Sequence, residues 1–252
     1  MRPTRQCARQ TSRNTTNTTP MDALDRRLNH CSNLIALVLP PAVAAAILLD
    51  ASIVVALTCV VLFGGLLLGQ RRRLVQHRTP PGLANLLTLF RLLLLVTVLC
   101  LFDVLTPALT FAAFAGNVML DVIDGRIARA RNETDRFGSH FDMEGDAVYV
   151  LTAGLYFLLV EGVARWVVLP GLLRDVYRLA VWGLAGGDFA ERRRRYAAVI
   201  AGASFTLLCA ATLLPGVMQQ LALALTALLL CGSFAISFAE LFRHAAQRPS
   251  IQ

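Results

Sequence analysis

From residue 34 to residue 69 the chain is apolar almost without break, and Asp50 is the only charged residue in that stretch. As one helix rising about 1.5 Å per residue it would run to roughly 54 Å, against a bilayer core of about 30 Å. The segment must therefore fold back on itself. Asp50 marks the turn, and Pro40 and Pro41 are expected to kink the first arm. A cleaved signal peptide over residues 21–46 is the rival reading, but it leaves the following span with the wrong orientation. Six more apolar runs lie near 85–102, 105–128, 139–162, 164–184, 196–214 and 217–242. The expected fold is an all-α polytopic membrane protein of about eight transmembrane helices, six of them a core preceded by an N-terminal transmembrane hairpin. A hydrophobic content of 56% and a mean hydropathy of +0.59 agree, because a soluble domain of this length carries less.

The formal net charge is +8, which by itself would suit nucleic acid. The arginines are placed otherwise: at 2–27, 71–78, 192–195, 243 and 248, each group beside an apolar run. Such clusters orient spans and touch anionic lipid headgroups, so membrane lipids are the expected partner and nucleic acid is not. With both termini in the cytoplasm, alternating spans put every arginine cluster inside, while the turns near Asp50, Asp103, Gly162 and Pro215 face outward. The division expected is a disordered basic tail over 1–32, the hairpin over 33–70, a basic linker over 71–84, a six-helix membrane domain over 85–242 and a short tail over 243–252. Met21 offers an alternative start. On this topology the glycosylation triplets at Asn14, Asn17 and Asn132 face the cytoplasm and carry no meaning.

The sequence contains no lysine. That excludes Schiff-base and pyridoxal-phosphate chemistry and a phosphate-loop lysine. The six cysteines are scattered without a CxxC pair and read as small core residues. The four histidines show no metal-ligand spacing, and His140 reads as an interfacial residue at a helix start.

Chemistry enters between residues 121 and 146. Asp121, Asp124, Gly125, Ala128 and Arg129 fall at i, i+3, i+4, i+7 and i+8, within an arc of roughly 140° on a helix. Gly138, Asp142 and Asp146 fall at i, i+4 and i+8 on a second helix. Two helices would each present acids along one stripe. Like charges about 6 Å apart repel by roughly 3 kcal/mol at an effective dielectric of 20, so four gathered carboxylates need cations. Arg129 offsets one charge, and divalent ions must offset the rest. An all-oxygen set suits a hard metal such as Mg²⁺ or Mn²⁺, and open positions on it suit phosphate oxygens. The glycines and Ala128 leave room for a ligand to approach the backbone.

Asp-x-x-Asp-Gly-x-x-Ala-Arg, eight residues, then Gly-x-x-x-Asp-x-x-x-Asp resembles the signature of the CDP-alcohol phosphotransferases, integral membrane enzymes of phospholipid biosynthesis. All eight signature positions match. At average residue usage a chance match at this spacing is on the order of one in a million or lower. The resemblance implies a six-helix core, a homodimer, and a CDP-linked donor, usually CDP-diacylglycerol, which loses CMP as an alcohol hydroxyl attacks the phosphorus next to the lipid. It implies further that Asp121, Asp124, Asp142 and Asp146 ligate Mg²⁺ or Mn²⁺, two ions in all. Asp146 would also act as general base on the acceptor hydroxyl. Gly125, Ala128 and Gly138 would give the cytidine room, and Arg129 would contact phosphate. The site would lie at the cytoplasmic face of the cell (inner) membrane.

A second family-like segment is Asn85-Leu-Leu-Thr88-Leu-Phe-Arg91, in which Asn85 and Thr88 can hydrogen-bond a nucleotide and Arg91 a phosphate. A helix start with Arg91 snorkelling to the headgroups would look much the same. The chain departs from the phosphatidylglycerophosphate-synthase pattern, in which Pro follows the third acid and Lys the fourth. Here Met143 and Ala147 stand at those places, which puts a glycerol-phosphate acceptor in doubt. Arg174 and Arg178, one turn apart, fall roughly 15 Å and 9 Å deep counted from the cytoplasmic end of their span. Cations at such depth line a polar cavity or meet a fixed anion. Asp175 is one candidate partner; an anionic group on the acceptor, as in family members using phosphorylated alcohols, is the other. Transfer of a CDP-choline or CDP-ethanolamine type headgroup to a lipid alcohol, and a divalent-cation transporter or channel, are the alternatives. A transporter places its acids near the midplane, often on inverted repeats, and no repeat is visible here.

Overall fold

A computed structural model of the chain describes residues 23–76, 83–131, 136–185 and 195–247. Among them are eight α-helices and no strand: α1 (Ala23–Leu49), α2 (Ile53–Gln76), α3 (Leu83–Cys100), α4 (Pro107–Arg131), α5 (Arg136–Leu159), α6 (Leu169–Ala185), α7 (Arg195–Ala211) and α8 (Gly216–Gln247), with a 3-10 turn over Arg165–Val168 before α6. The all-helical expectation holds. Among the described residues three segments are long and apolar enough to cross a membrane, Leu28–Leu49, Pro107–Ile127 and Gly216–Gln247. Shorter apolar stretches lie at Ile53–Gly69, Leu86–Cys100 and Tyr196–Ala211.

The turn between α1 and α2 falls where the lone charge pointed. Asp50 adopts φ 50°, a left-handed conformation that Asp tolerates better than most side chains, and α1 packs back against α2. Pro40 and Pro41 both lie inside α1. One boundary differs. Residues 23–32 belong to α1 rather than to a disordered tail, because Leu28, Ser32, Ile35, Ala36, Leu39 and Val43 fall at helical spacing and are all buried. Residues 1–22 lie outside the described residues, as do 77–82 of the expected linker and 248–252 of the expected C-terminal tail.

Helix α5 is the axle of the bundle. It packs against α1, α3, α6 and α7, and every residue from Val148 to Phe157 is buried. A helix apolar all round needs neighbours all round. Two glycines let them come close: a Cβ on Gly154 would meet the Val167 carbonyl oxygen at 2.8 Å, and one on Gly171 would meet Leu151 Cα at 2.7 Å. The outer helices instead expose large apolar side chains, such as Leu86, Phe90 and Leu93 on α3, Met119 and Ile123 on α4, and Leu221, Leu225 and Leu228 on α8. A surface of this kind fits lipid rather than water.

At one end, the α1–α2 turn, the α3–α4 turn and the end of α5 meet. Asp50, Ser52, Cys100, Phe102, Asp103, Leu159 and Val160 line a cavity of about 190 Å³ there. Ser52 Oγ donates to the Leu99 carbonyl at 2.6 Å, which ties the first two turns together. The acids lie towards the other ends of these helices.

Of the five cysteines among the described residues, Cys59 and Cys209 are buried and Cys31 is half-buried, while Cys100 and Cys231 are exposed; all five are free thiols. The small-core-residue expectation thus fits three of the five.

Candidate active site

Three helices bring the charged residues together. α4 carries Asp121 and Asp124, α5 carries Asp142 and Asp146, and α3 lies against both with Arg91. Asn117 on α4 donates from Nδ2 to the Arg91 carbonyl at 3.0 Å, which pins α3 to α4 beside the site. Below it, Tyr149 on α5 donates to the Phe205 carbonyl on α7 at 3.1 Å and stacks edge-on against Phe114 on α4, with ring centres 5.4 Å apart. The acids thus project from a packed frame.

Arg91 sits at their centre. Its Nη1 lies 2.7 Å from Asp121 Oδ1, 2.9 Å from Asp142 Oδ1 and 3.3 Å from Asp124 Oδ2, and its Nη2 lies 3.0 Å from Asp146 Oδ1. The side chain is only 3% exposed, so Arg91 does not snorkel to headgroups. The fixed anions hold it inward. Asp121, Asp142 and Asp146 remain about 30% exposed, whereas Asp124 is buried and also accepts from Thr88 Oγ1 at 3.4 Å. A ligand can therefore reach three of the acids from outside.

The residues fit a hard cation. One carboxylate oxygen from each of Asp121, Asp142 and Asp146 lies within 4.8 Å of the other two, as oxygens gathered round one shared ion do. Asp124 stands apart from that triad. Among the described side chains four carboxylates face one guanidinium, a strong excess of negative charge that divalent ions would relieve.

The other residues singled out from the sequence divide. Gly125, Gly138 and His140 are half-buried near the acids on α4 and α5. The side chains of Asn85, Ala128 and Arg129 lie outside the described residues. Arg174 grips Glu144, with Nη2 to Oε1 at 2.7 Å and Nε to Oε2 at 3.3 Å, a fork-on-fork pair. The neighbouring Asp175 is buried, and its Oδ2 accepts no hydrogen bond from the described residues. Arg178 donates from Nη2 to Asn29 Oδ1 at 3.2 Å and to Asn33 Oδ1 at 3.3 Å, both on α1.

Sequence reasoning missed two features. It assigned the balancing charge to Arg129 and not to Arg91, although the polar stripe at 85, 88 and 91 already marked one face of α3. It also passed over Glu144, which stands between Asp142 and Asp146 but points away from them because two residues on a helix are about 200° apart.

No curated protein and no solved structure matches the chain. The family model described as CDP-alcohol phosphatidyltransferase matches residues 82–239, a stretch that begins just before α3 and takes in Arg91, all four acids, Arg174 and Arg178. With that match covering more than half of its length, and with the acids gathered where α3, α4 and α5 meet, the chain belongs to the CDP-alcohol phosphatidyltransferase family.

Proposed function

We propose that the protein transfers a phosphatidyl group from CDP-diacylglycerol to a small alcohol and releases CMP, as a step in phospholipid biosynthesis. The observation that carries this reading is the convergence of Asp121, Asp124, Asp142 and Asp146 around Arg91 inside the segment that matches the family. Asp121, Asp142 and Asp146 would hold one Mg²⁺ or Mn²⁺ ion, and Asp124 would contribute to a second. Bound there, the cations would supply charge neutralisation for the diphosphate and the departing CMP.

The chain's own groups do the rest. Asp146 accepts the proton of the acceptor hydroxyl, the hydroxyl oxygen bonds to the phosphorus beside the lipid, and the bond from that phosphorus to CMP breaks. Arg91 and Arg129 hold phosphate oxygens by charge-assisted hydrogen bonds. Asn85 and Thr88 hold the nucleotide, and Gly125, Ala128 and Gly138 leave space for cytidine. Arg174 and Arg178 face an anionic group of the acceptor.

Eight membrane crossings, with the site and both termini at the cytoplasmic face of the cell membrane, complete the reading. The cavity that gathers the Asp50 and Asp103 turns at the end away from the acids supports it, because alternation requires those turns to share a side. A homodimer is the expected assembly. The test is CMP release by purified protein given CDP-diacylglycerol and a panel of alcohols. Release that depends on both substrates supports transfer; none with any alcohol refutes it.

A further inference from the structure

Helices α1 and α2 precede the matched segment, yet α1 is built into the polar interior behind the acids. Ser32, 2% exposed in the middle of α1's otherwise apolar buried stripe, donates from Oγ to Glu144 Oε1 at 2.7 Å. That oxygen is the one gripped by Arg174 Nη2. Asn29 and Asn33, one turn apart on the same helix, both accept from Arg178 Nη2. Each arginine of α6 proposed for the acceptor is therefore fixed, directly or through Glu144, by side chains from α1. Glu144 stands two residues before Asp146 on α5, so this cluster lies within one helical turn of the proposed base.

We infer that α1 completes the acceptor site, with Asn29 and Asn33 as positioning residues for Arg178 and Ser32 as a positioning residue for the Glu144–Arg174 pair, so that this helix helps to set which alcohol is accepted. The physical reasons are two. An arginine at this depth has many rotamers and is useful for recognition only if its fork is held in one orientation. Two amide oxygens on adjacent turns of one helix do that for Arg178. The Glu144–Arg174 pair is held in the same way, since the Ser32 hydroxyl donates to the carboxylate oxygen that Arg174 grips. The acceptor that suits such a site is a small alcohol carrying an anionic group such as a phosphate, met by guanidinium forks that α1 holds in place. This inference rests on the phosphatidyl-transfer reading for the meaning of the ligand, though its test does not need turnover.

The test is binding to the full chain in detergent micelles, by titration calorimetry with two matched pairs, glycerol 3-phosphate against glycerol and inositol 1-phosphate against inositol. In the parent, at least one phosphorylated member should bind ten-fold or more tightly than its uncharged counterpart. Asn29→Ala/Asn33→Ala should erase most of that preference while binding of CDP-diacylglycerol stays within two-fold. Adding the same changes to Arg178→Gln should cost nothing further, because the asparagines act through that arginine. Leu37→Ala, on the exposed face of α1, is the control and should match the parent. Should the double variant not fold, Asn33→Ser, which keeps a short polar side chain, and Asn33→Ala alone give the same comparison. A parent without preference for the phosphorylated members, or variants that keep it, would overturn the inference. Loss of CMP release with every alcohol, beside intact binding, would instead strike the transfer reading.

Discussion

Arg91 Nη2 donates to Asp146 Oδ1 at 3.0 Å while Nη1 of the same guanidinium lies within 3.3 Å of Asp121, Asp124 and Asp142, so one buried cation on α3 holds together acids from two other helices. Removing it leaves four carboxylates to repel one another, at roughly 3 kcal/mol per pair about 6 Å apart in a medium of effective dielectric 20. Arg91→Gln should therefore melt at lower temperature than the parent when no divalent ion is added. Mg²⁺ should then raise its melting temperature by more than it raises the parent's. An equal rise in both would show that Arg91 does not balance the acids.

The role given to Asp146 separates from that of the other acids. Asp146→Asn keeps an oxygen at the site but cannot take up a proton, so turnover should fall at least a hundred-fold while CDP-lipid still binds. Asp135→Asn, between the two acidic helices and outside the described residues, is the control and should turn over like the parent. CMP release is the measurement for both; equal loss would show that the charge of this region matters and not the base.

With no lysine in the chain and Arg91 set against four acids, Arg129 alone cannot balance the phosphates, which need a further source of positive charge. Exhaustive treatment with chelator should abolish CMP release, and Mg²⁺ or Mn²⁺ should restore it. Full turnover in EDTA would refute a metal held by the Asp121, Asp142 and Asp146 triad.

Much of this was legible in the sequence because it depended on spacing along single helices. The lone charge at Asp50 located a turn, and the acids at 121, 124, 142 and 146 located two stripes that do meet. What was not legible depended on helices remote in sequence. Ser32 and Glu144 are 112 residues apart, and Arg178 is 149 from Asn29. No local period encodes such a pair; it follows from α1 packing against α5 and α6. The start of α1 was placed too late for a related reason. Asn29 and Ser32 read as tail residues until the helix face that buries them is known.

Glu144 gives a prediction that is read from stability rather than from turnover. It is 3% exposed and fully engaged by Arg174 and Ser32, so Glu144→Gln leaves a buried guanidinium without its counter-ion. Breaking one partner of such a pair costs about 3–5 kcal/mol. Chemical denaturation should register a loss of that order, and Glu144→Gln/Arg174→Gln should lose less than the two single variants together. Strict additivity would mean that the pair is not coupled.

The membrane arrangement can be checked from both sides at once. The proposed topology has the connection between α4 and α5 on the cytoplasmic side and the Asp50 turn outside, and the Asp50 turn shares its cavity with the Asp103 turn and the end of α5. Ser52 bonded to the Leu99 carbonyl makes it hard for α1 and α2 to sit inverted relative to α3, because that contact would then have to break. Cysteines placed at Thr134 and at Asp50, in a background without the native ones, should label with a membrane-impermeant maleimide from opposite faces of intact, oriented vesicles. Cys at Asp103 should label with the Asp50 position. Labelling of Thr134 and Asp50 from one face would mean that α1 and α2 do not cross as a hairpin, while separation of the Asp50 and Asp103 positions would break the alternation itself.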